Sequence, residues 1–538
     1  MKLKYSFPSR RSEVMSTHGI VATSQPLAAQ AGISMLLQGG NAIDAAIATA
    51  AALNVVEPMS TGLGGDVFAL LYLSRSNELK ALNASGRAPY AANLETLRAL
   101  GYSRMPEMGI HTVTVPGALD GWSLLLEKYG TMSLAQVLAP AIDLAEHGFP
   151  VTEMIAHLWK KNSAKLQSNV NAADTYLIAG RAPEVGEVFV QPDLARTFEK
   201  IAEGGRDVFY RGEIAEAIVA CSRENDGLFT MQDLNDHTST WVTPISTNYR
   251  GYDVYECPPN GQGLVVLLAL NILEGYDLQS LGHNSPEYLH LLIEAMKLAF
   301  ADASKYVADP DFVDIPLDNL LSKSYAERRR QLIDMNKARQ EVEAGIPNTQ
   351  GDTVYLAVTD KEGNSVSFIN SLYQGFGSGI VVEGTGICLQ NRGSQFSLES
   401  GHPNRIEPHK RPYHTIIPAM VFRDSCLFLT FGVMGGFMQP QGHVQVLLNI
   451  IDFSMGVQTA LDAPRFRYYP QGGQCAFEPG IPSSVLGELA KKGHSLTKLD
   501  DPYSQEFGGG QAIMVHPSSK VFIAGSDPRK DGCAIGAW

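Results

Sequence analysis

One stretch of the chain carries most of the structural information: Gly351-Asp352-Thr353-Val354-Tyr355-Leu356-Ala357-Val358-Thr359-Asp360. Residues 354–359 have a strand-like pattern, 360–364 supply turn residues, and 365–371 again alternate as a strand does. Two such runs around a short polar turn predict a β-hairpin. The prediction places Thr353 at the end of a sheet.

The segment before this hairpin indicates a linker. Residues 324–343 are rich in Arg, Lys and Glu with apolar residues at helical spacing, which predicts a surface helix. A polar run with breakers at both ends follows at 345–351 and is typical of an exposed, cleavable loop. A threonine released by cleavage carries a hydroxyl nucleophile and a basic α-amino group on one residue. The stretch therefore points to an N-terminal-nucleophile enzyme acting on amides, although the hairpin alone is more often an ordinary sheet element.

Length and charge exclude several classes of protein. The 538 residues contain no long Ser/Pro linker, low-complexity tract or repeat period, so one large interwoven unit is expected. A formal charge of −14 argues against nucleic acid or anionic membrane as a partner. The main basic cluster, 328–330, lies among acidic residues and is interpreted as a solvated helix face. We expect a small-molecule substrate.

Neither targeting nor cofactor signals are evident. The amino-terminal residues are positively charged but lack an apolar run behind them, and no uncharged stretch has membrane length, which predicts a cytoplasmic protein. The six cysteines lack CxxC spacing and are interpreted as buried thiols rather than disulfides or a zinc site. The thirteen histidines contain no HExxH pair. No cofactor or metal is predicted.

The order of elements predicts an α+β protein. Residues 24–58 are Ala-rich at helical spacing, break at Gly39-Gly40 and restart at Asn41, which predicts two closely packed helices. A buried hairpin is predicted over 67–83. Further helices are predicted at 117–128, 133–147, 264–274, 285–306, 440–454 and 482–492, and further strands at 426–431, 511–515 and 520–524. Antiparallel hairpins with separate helices favour helices layered over sheets.

Two glycine turns are candidates for function. Gly62-Leu63-Gly64-Gly65-Asp66 precedes a strand, whereas a dinucleotide loop follows one, so a nucleotide site is rejected in favour of a tight turn. Gly432 to Gly436 follows strand 426–431 and leads into an apolar helix. Such a turn allows backbone N–H groups to approach a substrate as an oxyanion hole, although taken alone it is more often a plain loop that needs positive φ.

Taken together, these motifs resemble the γ-glutamyltranspeptidase family, with its cephalosporin-acylase relatives, over about residues 19–532. The matching motifs are 62–66, Arg87, Tyr129-Gly130-Thr131-Met132, Thr353, 360–364, Phe376-Gly377-Ser378-Gly379, Lys410-Arg411-Pro412, Gly435-Gly436, Ala463-Pro464-Arg465 and Ser526-Asp527-Pro528-Arg529.

The resemblance implies an αββα four-layer sandwich made as a precursor that cuts itself between Asp352 and Thr353. The fragments 1–352 and 353–538 would remain together as a heterodimer, with further oligomerisation possible. Thr353 would be the nucleophile, and Gly435 and Gly436 would supply the oxyanion N–H groups. Arg87 matches the arginine that holds the glutamyl α-carboxylate, which a planar guanidinium fits in a bidentate way.

Several positions depart from the family pattern. The aspartate that pairs the substrate α-ammonium is replaced by Gln395, and Arg392 lies three residues earlier. The paired serines become His414 and Thr415, and a usual asparagine becomes Tyr373. The amide lacks a charge-assisted bond and the arginine repels an ammonium, so glutaryl-type acyl groups are an alternative to γ-glutamyl groups. The positions assigned to the acyl pocket are Arg87, Ser371, Tyr373, Arg392, Gln395, His414 and Thr415.

Three functions follow from these features. The first is a self-processed γ-glutamyltransferase or hydrolase that cleaves glutathione-like amides and passes the acyl group to water or an amine. The second is a cephalosporin-acylase-like amidase for glutaryl-type amides without the α-amino group. The third, from another class, is an unprocessed binding protein with the same fold. The segment 396–410 is shorter than the lid of lid-bearing members, which predicts an open mouth.

Overall fold

The computed structural model describes residues 11–340, 351–497, 499 and 504–538. Two seven-stranded sheets dominate it. The first sheet contains, in spatial order, β1 (Val14–Ser16), β20 (Phe522–Ser526), β19 (Gly509–Val515), β15 (Cys426–Met434), β14 (Ala419–Arg423), β9 (Tyr252–Glu256) and β8 (Ile245–Tyr249). The second contains β21 (Cys533–Gly536), β2 (Gly19–Thr23), β10 (Asp352–Asp360), β11 (Ser365–Tyr373), β3 (Asp66–Leu73), β4 (Glu78–Ala84) and β7 (Thr240–Val242).

Short strands and helices complete the described parts of the chain. The small sheets pair β5 (Phe149–Pro150) with β6 (Val188–Phe189), β12 (Val381–Val382) with β13 (Ile387–Cys388), and β16 (Phe466–Tyr468) with β17 (Gln474–Phe477) and β18 (Ser495–Thr497). The helices of the first half are α1 (Pro26–Leu37), α2 (Ala42–Val56), α3 (Leu94–Ala99), α4 (Ala118–Tyr129), α5 (Leu134–His147), α6 (Glu153–Lys161), α7 (Ser163–Gln167), α8 (Val170–Tyr176), α9 (Pro192–Tyr210), α10 (Glu213–Glu224) and α11 (Met231–Asn235). Those of the second half are α12 (Gly263–Leu273), α13 (Leu278–Leu281), α14 (Pro286–Tyr306), α15 (Leu317–Leu320), α16 (Lys323–Arg330), α17 (Met438–Ile451), α18 (Val457–Asp462) and α19 (Ser483–Lys491), with 3₁₀ turns at Ile110–Thr112 and Arg392–Gln395.

The two sheets face each other and helices cover their outer sides. Apolar side chains of both sheets, such as Phe68, Ile369 and Met420, form one core between them. A second core joins one sheet to α1, α2, α4 and α5, and a third joins the other sheet to α12, α14 and α17. The expected αββα sandwich is therefore confirmed.

The predicted pair of amino-terminal helices is present, and its residues explain why the two helices pack closely. Asn41 caps α2 through its side chain, and Asp44 returns a bond to the Asn41 N–H, which completes a capping box. A Cβ on Gly32 of α1 would lie 2.1 Å from Thr49 Oγ1 of α2, so only glycine permits this approach. The helices thereby form a tight layer on the sheet that contains β10.

One predicted element is shorter than expected. The helix predicted over 324–343 ends at Arg330, and the described chain continues as turns to residue 340. Ala338 N–H donates to Lys492 O and Arg339 N–H to the Glu294 carboxylate, so distant partners take the backbone groups that a helix would use. The linker predicted at 345–351 lies outside the described residues except for Gly351.

Both large sheets contain strands from each side of residue 352. In the second sheet β10 lies between β2 and β11, and β11 pairs with β3. Two fragments divided there would share both sheets and all three cores. Within the described ranges, no helix is both long and apolar enough to cross a bilayer. The cytoplasmic location remains a prediction from sequence.

Candidate active site

Thr353 lies at the start of β10, where the ladder with β11 is irregular. Asp352 pairs with Tyr373 and Val354 with Asn370, so Thr353 faces two residues, Ser371 and Leu372. Such a bulge redirects side chains at the end of a strand. The Thr353 side chain is fully buried, and its Oγ1 lies 3.0 Å from Ser371 Oγ, with either hydroxyl able to donate. The sheet thus places two hydroxyl groups in contact.

Tyr373 connects this hydroxyl pair to a cation. It has φ of 81°, a left-handed conformation that a bulky residue rarely adopts and that often occurs at functional sites. Its N–H donates to Ser371 Oγ at 2.8 Å. Its ring lies beneath the Arg392 guanidinium, with Cζ 4.3 Å from the ring centroid. Tyr373, the last residue of β11, therefore contacts both Ser371 and Arg392.

Arg392 begins a 3₁₀ turn and is completely buried. Its Nη1 donates to Thr415 Oγ1 at 2.7 Å and its Nη2 to Ser371 Oγ at 3.1 Å, while Nε finds no acceptor in the described part of the chain. Burial lowers the pKa of Arg392 to about 10, which still leaves it charged at neutral pH. Among the described residues no carboxylate forms an ion pair with it. The site therefore contains a buried cation next to the nucleophile candidate.

The His414 side chain hydrogen-bonds to Ile416 and Asp66 rather than to the nucleophile candidate. Its Nδ1 accepts from Ile416 N–H, so its Nε2–H donates to Asp66 Oδ2, 3.0 Å away. Burial lowers the pKa of His414 to about 4, with the Arg392 charge as a smaller cause, so the ring is neutral at pH 7. Asp66 also accepts Gly86 N–H and is fully buried. Asp66, the last residue of the first glycine turn, thereby joins that turn to His414.

The second glycine turn lies against the residues that precede Thr353. Gly435 and Gly436 have φ of 126° and 60°, which favour glycine. A Cβ added to Gly351 would lie 2.9 Å from Gly436 Cα and 3.1 Å from Gly436 N. Gln262 Nε2 donates to Gly436 O at 2.9 Å and fixes the turn. Within the described ranges neither glycine N–H has a hydrogen-bond acceptor, and an oxyanion would be a suitable one.

The remaining predicted residues are arranged differently. Arg87 is partly exposed and donates to Thr238 O at 3.2 Å. No contact within the described parts of the chain joins it to Thr353 or Arg392. Gln395 is buried on the Arg392 turn and lines a cavity of about 190 Å³ with Ser394, Phe396, Leu398, Met105 and Tyr413. The structure therefore brings together Thr353, Ser371, Tyr373, Arg392 and Thr415.

The γ-glutamyltranspeptidase family model matches residues 28–537. The chain belongs to the γ-glutamyltranspeptidase family. It is 40% identical to the glutathione hydrolase-like YwrD proenzyme of Bacillus subtilis over 97% of this chain and 99% of the relative. It is 34% identical to the oxamate amidohydrolase proenzyme of Klebsiella pneumoniae over 98% of this chain and 99% of the relative. The crystal structure of cephalosporin acylase from Bacillus halodurans matches with a TM-score of 0.93 and 46% identity, covering 100% of this chain and 99% of that one.

These matches confirm the expected family and fold. The chain is an enzyme with the N-terminal nucleophile hydrolase fold of γ-glutamyltranspeptidases and cephalosporin acylase. Thr353 lies at the amino end of β10, Ser371 lies near the carboxyl end of β11, and the glycine turn follows the carboxyl end of β15, so strands of both sheets contribute to the site. Arg392 and Gln395, the two departures from the family pattern, lie on the same 3₁₀ turn.

One group of possible metal ligands occurs in the described parts of the chain. His290, Glu294 and His494 place ligand atoms within 4.8 Å of one another. His290 Nδ1 lies 2.7 Å from His494 Nε2, and Glu294 forms a 2.8 Å ion pair with Lys297. Because the two histidines bond to each other and Glu294 bonds to Lys297, we interpret the cluster as a structural contact between α14 and the residues after α19.

Proposed function

We propose that this enzyme is a self-processing amidohydrolase and acyltransferase that uses Thr353 as an amino-terminal nucleophile. The observation that carries the proposal is the buried Thr353 hydroxyl, 3.0 Å from Ser371 Oγ, on a strand whose preceding residue packs on the Gly435–Gly436 turn. In the precursor the Thr353 hydroxyl attacks the Asp352 carbonyl carbon. The peptide C–N bond breaks as the acyl group moves to oxygen, and water then hydrolyses the ester.

Cleavage would create the general base for the mature reaction. An α-amino group has a pKa of about 7.7–8.0 when unperturbed, so part of the population is neutral at neutral pH. The amine accepts the Thr353 hydroxyl proton as oxygen attacks a substrate amide, and it then protonates the departing amine. An ester of Thr353 with the acyl group remains. Water or a second amine takes that group, so hydrolysis and transfer share one intermediate.

The glycine turn would stabilise the developing oxyanion. Two observations support this role: the Gly435 and Gly436 N–H groups have no acceptor in the described structure, and Gly436 lies close to Gly351, next to the peptide bond that we propose is cleaved. Removing one oxyanion donor typically costs on the order of 10²–10³ in rate. The same turn would serve both self-cleavage and the mature reaction, because each proceeds through a tetrahedral oxyanion.

Two classes of acyl donor fit this chemistry. Glutathione-like γ-glutamyl amides are the first, supported by relatives that are named glutathione hydrolases. Glutaryl-type amides, which lack the α-amino group, are the second and agree with the relation to a cephalosporin acylase. The specific observation that favours the second class is that one 3₁₀ turn carries both a neutral amide, Gln395, and a buried cation, Arg392.

The intact masses of purified wild type and Thr353→Ala test the proposal. Wild type is expected to give two polypeptides, 1–352 and 353–538, whereas the variant stays whole and inactive on γ-glutamyl and glutaryl p-nitroanilides. Thr497→Ala, on an edge strand with a partly exposed side chain, is the matched control and should be processed normally. A single unbroken wild-type chain that still hydrolyses either anilide would overturn the mechanism.

A further inference from the structure

The Gln262 side chain hydrogen-bonds to the Gly435–Gly436 turn, and each of its polar groups has a partner. Gln262 is fully buried. Its Nε2 donates to Gly436 O at 2.9 Å and to Thr415 O at 2.7 Å. Its Oε1 accepts the Tyr413 O–H at 3.2 Å. Because both amide hydrogens and the amide oxygen are bonded, the orientation of the amide group is set.

The position of Gln262 in the fold gives its side chain no local use. Gln262 is the N-cap residue of α12, yet its side chain does not bond to the backbone of that helix. Shorter side chains, such as those of serine and aspartate, are the ones that favour this position. The Gln262 N–H donates to His414 O at 3.0 Å, which fixes the residue beside the segment that leads into β14. The bonds to Gly436 and Thr415 are therefore what the side chain contributes.

The glycine turn needs support from outside because glycine is the residue with the greatest backbone freedom. The bond from Gln262 to the Gly436 carbonyl restricts rotation of the residue whose N–H would face the oxyanion. Donors that are oriented before the reaction account for most of the effect of an oxyanion hole. We propose that Gln262 is a positioning residue for the oxyanion turn and that the Tyr413 hydroxyl orients its amide group. This inference rests on the proposed function, because it assumes that the Gly435 and Gly436 N–H groups stabilise an oxyanion.

Tyr413 contacts the amide and the turn at the same time. Burial raises the pKa of Tyr413 well above its usual range, so its hydroxyl stays protonated and donates to Gln262 Oε1. A reversed Gln262 amide would direct its oxygen at two carbonyl oxygens, which repel it. The Tyr413 ring lies 5.8 Å from the ring of Phe437, the residue that follows Gly436. The hydroxyl therefore orients the amide, and the ring packs beside the end of the turn.

Two substitutions test the inference in the processed enzyme, with whichever of the γ-glutamyl and glutaryl p-nitroanilides wild type hydrolyses faster. Gln262→Met keeps the length of the side chain and removes its three hydrogen bonds. Its kcat should fall by about 10- to 100-fold, less than the loss of a donor costs, because the donors remain but are displaced. Tyr413→Phe keeps the ring beside Phe437 and should lower kcat by about three- to tenfold, the worth of one hydrogen bond. KM should stay within about threefold in both variants, because the turn acts on the transition state.

Gln445→Met is the matched control for a loss of stability alone. Gln445 is a buried glutamine of α17 whose Nε2 also donates to two carbonyl oxygens, Gln441 O and Phe466 O, each at 3.0 Å. Its Oε1 accepts the Phe466 N–H at 3.0 Å. Gln445→Met loses an equivalent set of buried bonds, so its midpoint of unfolding in urea should fall about as far as that of Gln262→Met. Its kcat should stay within about twofold of wild type, because it shares no partner with Gln262.

The rate of self-cleavage is a second measurement that a purely structural role would not change. The turn would serve both reactions, so Gln262→Met should slow cleavage of the precursor by about the factor by which it lowers kcat. If wild type is a single unbroken chain or is inactive, the proposed function fails.

If wild type is cleaved and active, three results would overturn the inference alone: wild-type kcat in Gln262→Met, wild-type kcat in Tyr413→Phe, or an equal loss of kcat in Gln445→Met. If Gln262→Met does not fold, Tyr413→Phe decides the matter, because it removes a single oxygen atom.

Discussion

Replacing Gly351 by alanine tests whether this residue, which directly precedes the proposed scissile Asp352–Thr353 bond, must lie on the glycine turn. The new Cβ would meet Gly436 Cα at 2.9 Å, Gly436 N at 3.1 Å and Tyr373 O at 3.3 Å, whereas ordinary contacts begin at 3.4 Å. Gly351 does not have positive φ, so alanine adds a steric conflict without a backbone penalty. Relief requires a separation of roughly 0.5 Å, and misplacing reacting groups by 1 Å can cost about 10² in rate. We expect self-cleavage to slow by about tenfold.

The assay follows the precursor band on denaturing gels, with intact masses at each time, for wild type, Gly351→Ala and a control. Gly401→Ala is the control because a Cβ there meets no atom within 4 Å and its φ is not positive. Once processed, Gly351→Ala should hydrolyse its substrate at the wild-type rate, because residue 351 then belongs to a free chain end. Cleavage at the wild-type rate would refute the role of this packing. A mature enzyme impaired as much as the precursor would show that residue 351 acts in the finished site.

Three further perturbations follow from buried contacts. Ser371→Ala removes the bridge between Thr353 and the cation, and kcat of the processed enzyme should fall by about 10- to 100-fold; unchanged turnover would contradict this role. Lys530→Met breaks the buried 2.9 Å ion pair with Glu57, whose two residues lie on either side of the proposed cleavage site, and should lower the free energy of unfolding in urea by about 3–5 kcal/mol; a change below 1 kcal/mol would count against it. Burial lowers the pKa of His414 in the folded protein to about 4, against 6.5 in the unfolded chain. The neutral ring therefore adds to the free energy of unfolding in full above pH 6.5, and this stabilisation is lost on acidification from pH 6.5 towards pH 4, because the unfolded chain takes up a proton there. Wild type should lose about 2 kcal/mol more than His414→Asn between pH 7 and pH 5, and parallel pH profiles would contradict this assignment.

Local sequence patterns determined the hairpin, the placement of Thr353 at its edge and the capped pair of amino-terminal helices. Alternation with period two, turn residues at 360–364 and a side-chain cap at Asn41 act over a few residues, so they can be detected without a structure. The family motifs extended this to the layered fold and to the glycine turn at 435–436. The predicted helix at 324–343 was too long because Glu294 and Lys492, distant in sequence, bind the backbone that follows Arg330.

The chain by itself specified which chemical groups are available, and the tertiary structure decided which of them meet. Arg392 was identified from sequence only as a departure from the family, yet its bonds to Ser371 and Thr415 cross 21 and 23 residues and its burial depends on two sheets. Asp66 belongs to a glycine turn that the sequence marks as a candidate, but its contact with His414 spans 348 residues and is set by the fold. The physical reason is that propensity acts between neighbours in the chain, whereas burial, pKa and ion pairing depend on neighbours in space.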